Sequence, residues 1–254
     1  MREILSDLVA EQQALDQFLQ GVRERDWKRQ TRSDGWTILD IVSHLAATEE
    51  VAARIIAEGQ PIVDEILTIP FDDWTHQGVE RGRGRRYQEI IEWWRNGRAG
   101  VVEPLSRMDS DARIPWFVAT VNAKTFATLR LAETWAHGLD IKHTMDDKIV
   151  VAEDEEDPRD DTPRIRHIAW LAHRMLPWAY SEAGVEFPTE GIRVEIVGPK
   201  YTLWTFGPKD SPHVIKGHAG DFCRIAVRRP PSENGQLRTS DDVAAQTLTI
   251  VRTY

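Results

Sequence analysis

Residues 3–24 place Ile4, Leu8, Leu15, Phe18, Leu19 and Val22 at the spacing that lines one face of an α-helix. A polar break follows at Gln30–Gly35, and Thr37 then reads as an N-cap with Asp40 in the first turn. The pattern resumes through Ile38, Ile41, Leu45, Ala52 and Ile55 and stops at Gly59. A looser stretch holding Pro61 and Pro70 reads as connection. It leads to a third helix over about 86–107, carrying Ile90, Ile91, Trp94, Val101, Val102 and Leu105, with Pro104 kinking it or ending it early. Thr120 or Asn122 opens a fourth helix running to about Thr144. Four long helices joined by surface-like loops predict a four-helix bundle.

The pattern fails over 146–163, where an acidic, proline-punctuated run predicts a solvated loop. A fifth helix over about 163–183 carries Ile168, Leu171, Met175 and Trp178, with Pro177 as a kink. Beyond Gly191 the period drops to two. Val194 and Ile196 mark one strand, Tyr201–Phe206 a second and Val214–Gly217 a short third. Asp221–Arg229 and Asp241–Val251 have helical spacing. The expected organisation is mainly α: a helical bundle over 1–183, then a small α+β domain over 190–254.

Composition narrows the function classes. The 254 residues are 41% hydrophobic, enough for a substantial core, and no apolar run approaches the about 20 residues that span a bilayer. The first residues lack the form of a secretory signal, and the single cysteine, Cys223, excludes an intrachain disulfide; both point to the cytoplasm. A net charge of −9 is poor material for neutralising phosphates, which argues against nucleic acid as a partner. The basic run Arg81–Arg86 reads as a solvated loop opening a helix. Oligomer frequencies make a homodimer the default. Most of the ten tryptophans read as packing between helices, with an aromatic substrate pocket as the alternative.

Candidate chemistry concentrates in two segments. Glu133 and His137 stand four apart, on one face of the fourth helix, and His44 lies far upstream on the edge of another apolar stripe. Two imidazoles and one carboxylate could hold a divalent ion and leave a coordination position open, as catalytic sites do. Asp40, one turn before His44, and Asp140, three residues after His137, could accept from the second ring nitrogens and fix the tautomers. The bland alternative is a hydrogen-bonded pair of no chemical consequence.

The segments Trp36-Thr-x-x-Asp40-x-x-x-His44-Leu45 and Glu133-Thr-x-Ala-His137-Gly-x-Asp140 resemble the two signatures of the mycothiol-dependent maleylpyruvate isomerase family, within the DinB/YfiT-like metal-binding bundles. The nearest resemblance is to an actinobacterial subgroup that keeps the metal residues. It implies a DinB-like bundle over about 1–180, a C-terminal domain of sterol-carrier type, and His44, Glu133 and His137 as ligands of a divalent metal. That metal is usually Zn2+, with Fe2+, Ni2+ or Mn2+ as alternatives. It also implies mycothiol as thiol cosubstrate in S-transfer or isomerisation of an electrophilic small molecule. In the family a tail helix ends in an arginine associated with activity; Arg229 matches it best, with Arg228 as the other candidate. On the residues alone a metal-dependent hydrolase, a non-haem iron enzyme and a non-catalytic binding module stay open. Cys223 reads as a packing residue.

Overall fold

The computed structural model describes residues 1–33, 35–151, 157–232, 235 and 237–253. The acidic loop expected over 146–163 lies outside the described residues for its middle part, 152–156. Two compact units divide the chain, Met1–Asp160 and Asp161–Tyr254. The fifth helix, placed with the bundle by the expected boundary at 183, falls in the second unit, where it packs with elements of the tail.

In the first unit four long helices make the bundle: α1 (Arg2–Gln20), α2 (Ile38–Glu58), α5 (Tyr87–Leu105) and α6 (Ala123–Thr144). Two shorter ones, α3 (Gln60–Ile66) and α4 (Phe71–Gly82), occupy the stretch that the prolines made look like connection. Pro61 falls in the first turn of α3 and Pro70 at the N-cap of α4, where a missing N–H breaks no helical bond. Strands β1 (Arg113–Ile114) and β2 (Val121–Asn122) form a small antiparallel clip before α6.

Capping fixes where the two site-bearing helices begin. Thr37 and Asp40 form a reciprocal capping box at α2: Asp40 N donates to Thr37 Oγ1 (3.2 Å) and Thr37 N to Asp40 Oδ2 (3.0 Å). At α6, Asn122 Oδ1 accepts from Thr125 N at 2.8 Å. Leu15, Leu19, Trp27, Trp36, Ile38, Ile41, Leu45, Ile90, Trp94 and Ile141 join in one buried cluster. Helix α6 is buried on nearly all sides from Ala123 to Ile141, as a central bundle helix must be. Close approach of α5 to α2 depends on Gly97: a Cβ there would sit 2.8 Å from Glu49 Cβ and 3.0 Å from the backbone nitrogen of Glu50.

The second unit holds α7 (Ile165–Arg174) and α8 (Leu176–Glu182), separated at Met175 just before Pro177. Strands β3 (Arg193–Val197), β4 (Leu203–Phe206), β5 (Val214–His218) and β6 (Arg238–Thr239) form a sheet of order β4-β3-β5-β6. Only the β3/β5 pairing is parallel. Val194, Ile196 and Ile215 bury one face of that sheet. Helices α9 (Ala219–Ala226) and α10 (Asp242–Ile250) complete the unit, and Tyr180 of α8 is hydrogen-bonded to Thr247 of α10 at 2.6 Å. The molecule is mainly helical with a small sheet domain, as the sequence pattern predicts. Among the described residues no helix is long and apolar enough to cross a membrane.

Candidate metal centre

Helices α2 and α6 face each other, and the three residues singled out from the sequence meet at their seam. His44 Nε2 lies 2.8 Å from Glu133 Oε1, and His137 Nε2 lies 3.4 Å from the same oxygen. The three ligand atoms all fall within 4.8 Å of one another. Both imidazoles are buried, their rings 4.9 Å apart edge to face, and Trp36 packs on them at 5.1 and 6.4 Å.

His137 Nδ1 lies 3.2 Å from Asp140 Oδ2 while Nε2 faces Glu133, so carboxylate oxygens approach both ring nitrogens. A neutral imidazole can donate from only one of them. The ring must therefore carry two protons or turn a lone pair to a cation. Burial pulls the His137 pKa down, but Asp140 and Glu133 outweigh it and the net shift is upward. Burial also dominates at His44 and lowers its pKa, in spite of Glu133. At Glu133 burial works towards protonation, yet hydrogen bonds to His137 and His44 hold its pKa well below the usual range.

The donor set fits a divalent ion. A tetrahedral ion with bonds of about 2.0–2.1 Å holds its donors roughly 3.3 Å apart, close to the His137–Glu133 spacing. Asp140 stands where the outer partner of a ligating histidine belongs. Asp40 does not: its Oδ2 accepts from Thr37 N and Oγ1, and its Oδ1 accepts from Arg83 Nε at 3.0 Å. As third residue of the capping box, it turns its carboxylate back to the start of α2 and away from His44. Arg83, expected to be a solvated loop cation, is thereby a partner of the helix that carries His44. The shift at Asp40 is downward, since these bonds outweigh its burial.

Sequence reasoning missed a further pair at the same seam. One turn from Glu133, Arg130 Nε donates to Glu49 Oε1 at 3.2 Å and Arg130 Nη2 to Thr48 Oγ1 at 3.2 Å. Both charged side chains are buried, Glu49 wholly and Arg130 to within 4%. Burial raises the Glu49 pKa against the pull of Arg130. The available signal was an arginine flanked by Leu129, Leu131 and Ala132 on an otherwise apolar helix.

The remaining candidates lie in the second unit. Arg229 is half-buried and donates from Nη1 to its neighbour Val227 O at 2.9 Å, while Arg228 is exposed in a left-handed conformation (φ 58°). Cys223 is buried, with Sγ 3.4 Å from Ile165 O, and burial raises its thiol pKa well above the usual value.

The family model described as the mycothiol maleylpyruvate isomerase N-terminal domain matches residues 8–142, more than half of the chain and a range that includes positions 44, 133 and 137. Two Mycobacterium tuberculosis relatives are each 28% identical over 253 residues, covering 98% of this chain and 94% of their own. They are the uncharacterized proteins Rv0036c (strain H37Rv) and MT0041 (strain CDC 1551). The crystal structure of the mycothiol-dependent maleylpyruvate isomerase superposes with a TM-score of 0.61 at 15% identity, covering 94% of this chain and 92% of that one. A point mutant of that enzyme gives 0.59 at 14% with the same coverage. The fold is thus shared along nearly the whole chain, and through its helical unit this protein belongs to the mycothiol-dependent maleylpyruvate isomerase family.

Proposed function

We propose that this protein is a divalent-metal enzyme that activates a low-molecular-weight thiol, mycothiol by family, for reaction with an electrophilic small molecule. The reaction is cis–trans isomerisation through thiol addition and elimination, or S-transfer, in which the whole thiol loses its proton and is joined through sulfur to an electrophilic carbon. One observation carries this reading: His44 Nε2 and His137 Nε2 converge on a single Glu133 oxygen, with Asp140 behind His137. His44, Glu133 and His137 would hold the divalent ion, Zn2+ by family resemblance, which would supply Lewis acidity and lower the pKa of a thiol nearby.

The chain's own groups have separable tasks in this scheme. Glu133 provides the anionic ligand and the two imidazoles the neutral ones. Asp140 fixes the tautomer of His137. Trp36 shields one side of both rings and limits water there. Cys223 is buried and its thiol pKa is raised by that burial, which suits a packing residue, so this reading takes the sulfur from an external thiol. Arg229 is the family-based candidate for stabilising negative charge that develops on the substrate. Hydrolysis finds less support: it calls for a general base, and Asp140, which could serve as one, already faces His137.

The test is turnover of maleylpyruvate by the zinc-loaded protein with and without mycothiol. Thiol-dependent isomerisation is expected, abolished in His44→Ala, intact in Cys223→Ser and reduced in Arg229→Lys without loss of metal. Activity that is indifferent to thiol, or equal in His44→Ala, would overturn the proposal. An iron-loaded protein that consumes oxygen would favour the non-haem iron alternative.

A further inference from the structure

We propose that a cavity within the second unit binds a saturated fatty acid of medium chain length, its carboxylate held by Arg228 and Arg252. Every residue lining the cavity belongs to that unit, so the site is independent of the three donors of the candidate metal centre and of the function proposed above.

Small side chains on α8 leave the space. Ala179 and Ala183 stand four apart at the end of that helix, and Ile225 of α9 and Leu248 of α10 line the same cavity. It holds about 280 Å3, the size of the smallest pockets that take organic ligands. Its walls are aliphatic and, among the described residues, no aromatic ring or carboxylate lines it. Such walls fit a flexible saturated chain and offer a flat ring nothing to stack on. A saturated chain also presents no electrophilic carbon to a thiol, so this ligand is of another class from the substrate of the proposed reaction.

Two guanidiniums complete the lining, and both have donors to spare. The Arg228 side chain is exposed and, among the described residues, has no hydrogen bond or ion pair. Arg228 stands just beyond α9 at a φ of 58°, where glycine or asparagine would be less strained. The Arg252 guanidinium carbon lies 4.8 Å from the centre of the Trp178 ring, and its carboxylate neighbour, the 53% exposed Glu182, is 3.5 Å away. Arg252 Nε is screened from solvent and has no hydrogen-bond partner, a cost that an oxygen of the occupant would relieve. Two arginines set against Glu182 leave about one positive charge for the occupant. That matches a carboxylate, which a guanidinium fork binds well, and falls short of a doubly charged phosphate monoester.

Octanoate is the probe, titrated calorimetrically into the full chain, with circular dichroism on each variant. The wild type should bind it saturably, one per chain, at millimolar concentration or below. Arg228→Gln removes a cation that holds no partner, so the variant should stay folded and bind at least about tenfold more weakly, as loss of one charged contact implies. Arg252→Gln should show the same loss; should it unfold for want of the Trp178 contact, Arg228→Gln still decides. Ala183→Phe fills the cavity from an exposed position, keeps both arginines and should abolish binding. Octanol, with the same chain and no charge, should bind at least about tenfold more weakly, and maleate should not displace octanoate. The assignment is overturned if the wild type shows no saturable binding, if either folded arginine variant or Ala183→Phe binds like the wild type, or if octanol binds equally. Displacement by maleate would also overturn it, by making the cavity a place for the substrate of the proposed reaction.

Discussion

Two charged clusters cross the same helical bundle, and they are built to opposite ends. Where α1 meets α5, Asp16 Oδ1 accepts from Arg95 Nη2 (2.6 Å) and Gln20 Nε2 (3.2 Å), and Oδ2 from Arg95 Nε (2.8 Å) and Arg98 Nη2 (2.6 Å). Every lone pair that matters has a donor, and the hydrogen bond from Arg95 leads the causes that lower the Asp16 pKa to about 2. Where α2 meets α6, two imidazoles crowd one oxygen of Glu133, and no hydrogen bond to its Oε2 is present among the described residues. The first cluster is complete as a piece of protein. The second gathers three metal-type donors within 4.8 Å of one another, and that convergence, more than burial or charge, is what supports the ion proposed there.

The comparison can be broken from the structural side first. Asp16→Asn leaves two arginines facing a neutral amide and should cost about 3 kcal/mol in urea unfolding, with metal content unchanged. The sign of its pH dependence follows from the lowered pKa: the carboxylate stabilises the fold above its unfolded value near 3.8, and that contribution is lost as pH falls towards about 2. The gap between wild type and Asp16→Asn should therefore be full at pH 6 and shrink below pH 4. A gap independent of pH would mean that Asp16 is not the charged acceptor described.

A smaller effect is expected at the contact that sets the seam. Gly97→Ala gains helix propensity but pushes a methyl against Glu49 Cβ and the Glu50 backbone, for a net loss of about 1–2 kcal/mol. Unchanged stability would show that α5 can retreat from α2. Smallest is Thr37→Ala, which removes half of the capping box and should cost about 1 kcal/mol. Metal affinity should move little in Thr37→Ala, because Asp40 serves the helix start and not His44.

Much of this was legible in the sequence, for identifiable reasons. The long helices announce themselves by apolar spacing, and the Thr37 and Asn122 caps mark where two of them start. His44, Glu133 and His137 stood out because ionisable groups on inward faces need partners. The misreadings share a cause in context. Pro61 and Pro70 look like breakers until they prove to sit at helix starts. Asp40 looks like a partner of His44 at helical spacing, yet the capping box claims it. Arg130 and Glu49, 81 residues apart, show nothing in sequence to link them, since only the crossing of α2 and α6 brings them together.

The central claim is that three donors from two distant segments hold one divalent ion. Its most direct test is elemental analysis of the zinc-reconstituted protein beside His44→Ala, Glu133→Ala and His137→Ala, with circular dichroism on each. The account predicts one zinc per wild-type chain and loss of it in each helical, folded variant. Stoichiometric zinc retained in all three variants, or none taken up by the wild type, would contradict it.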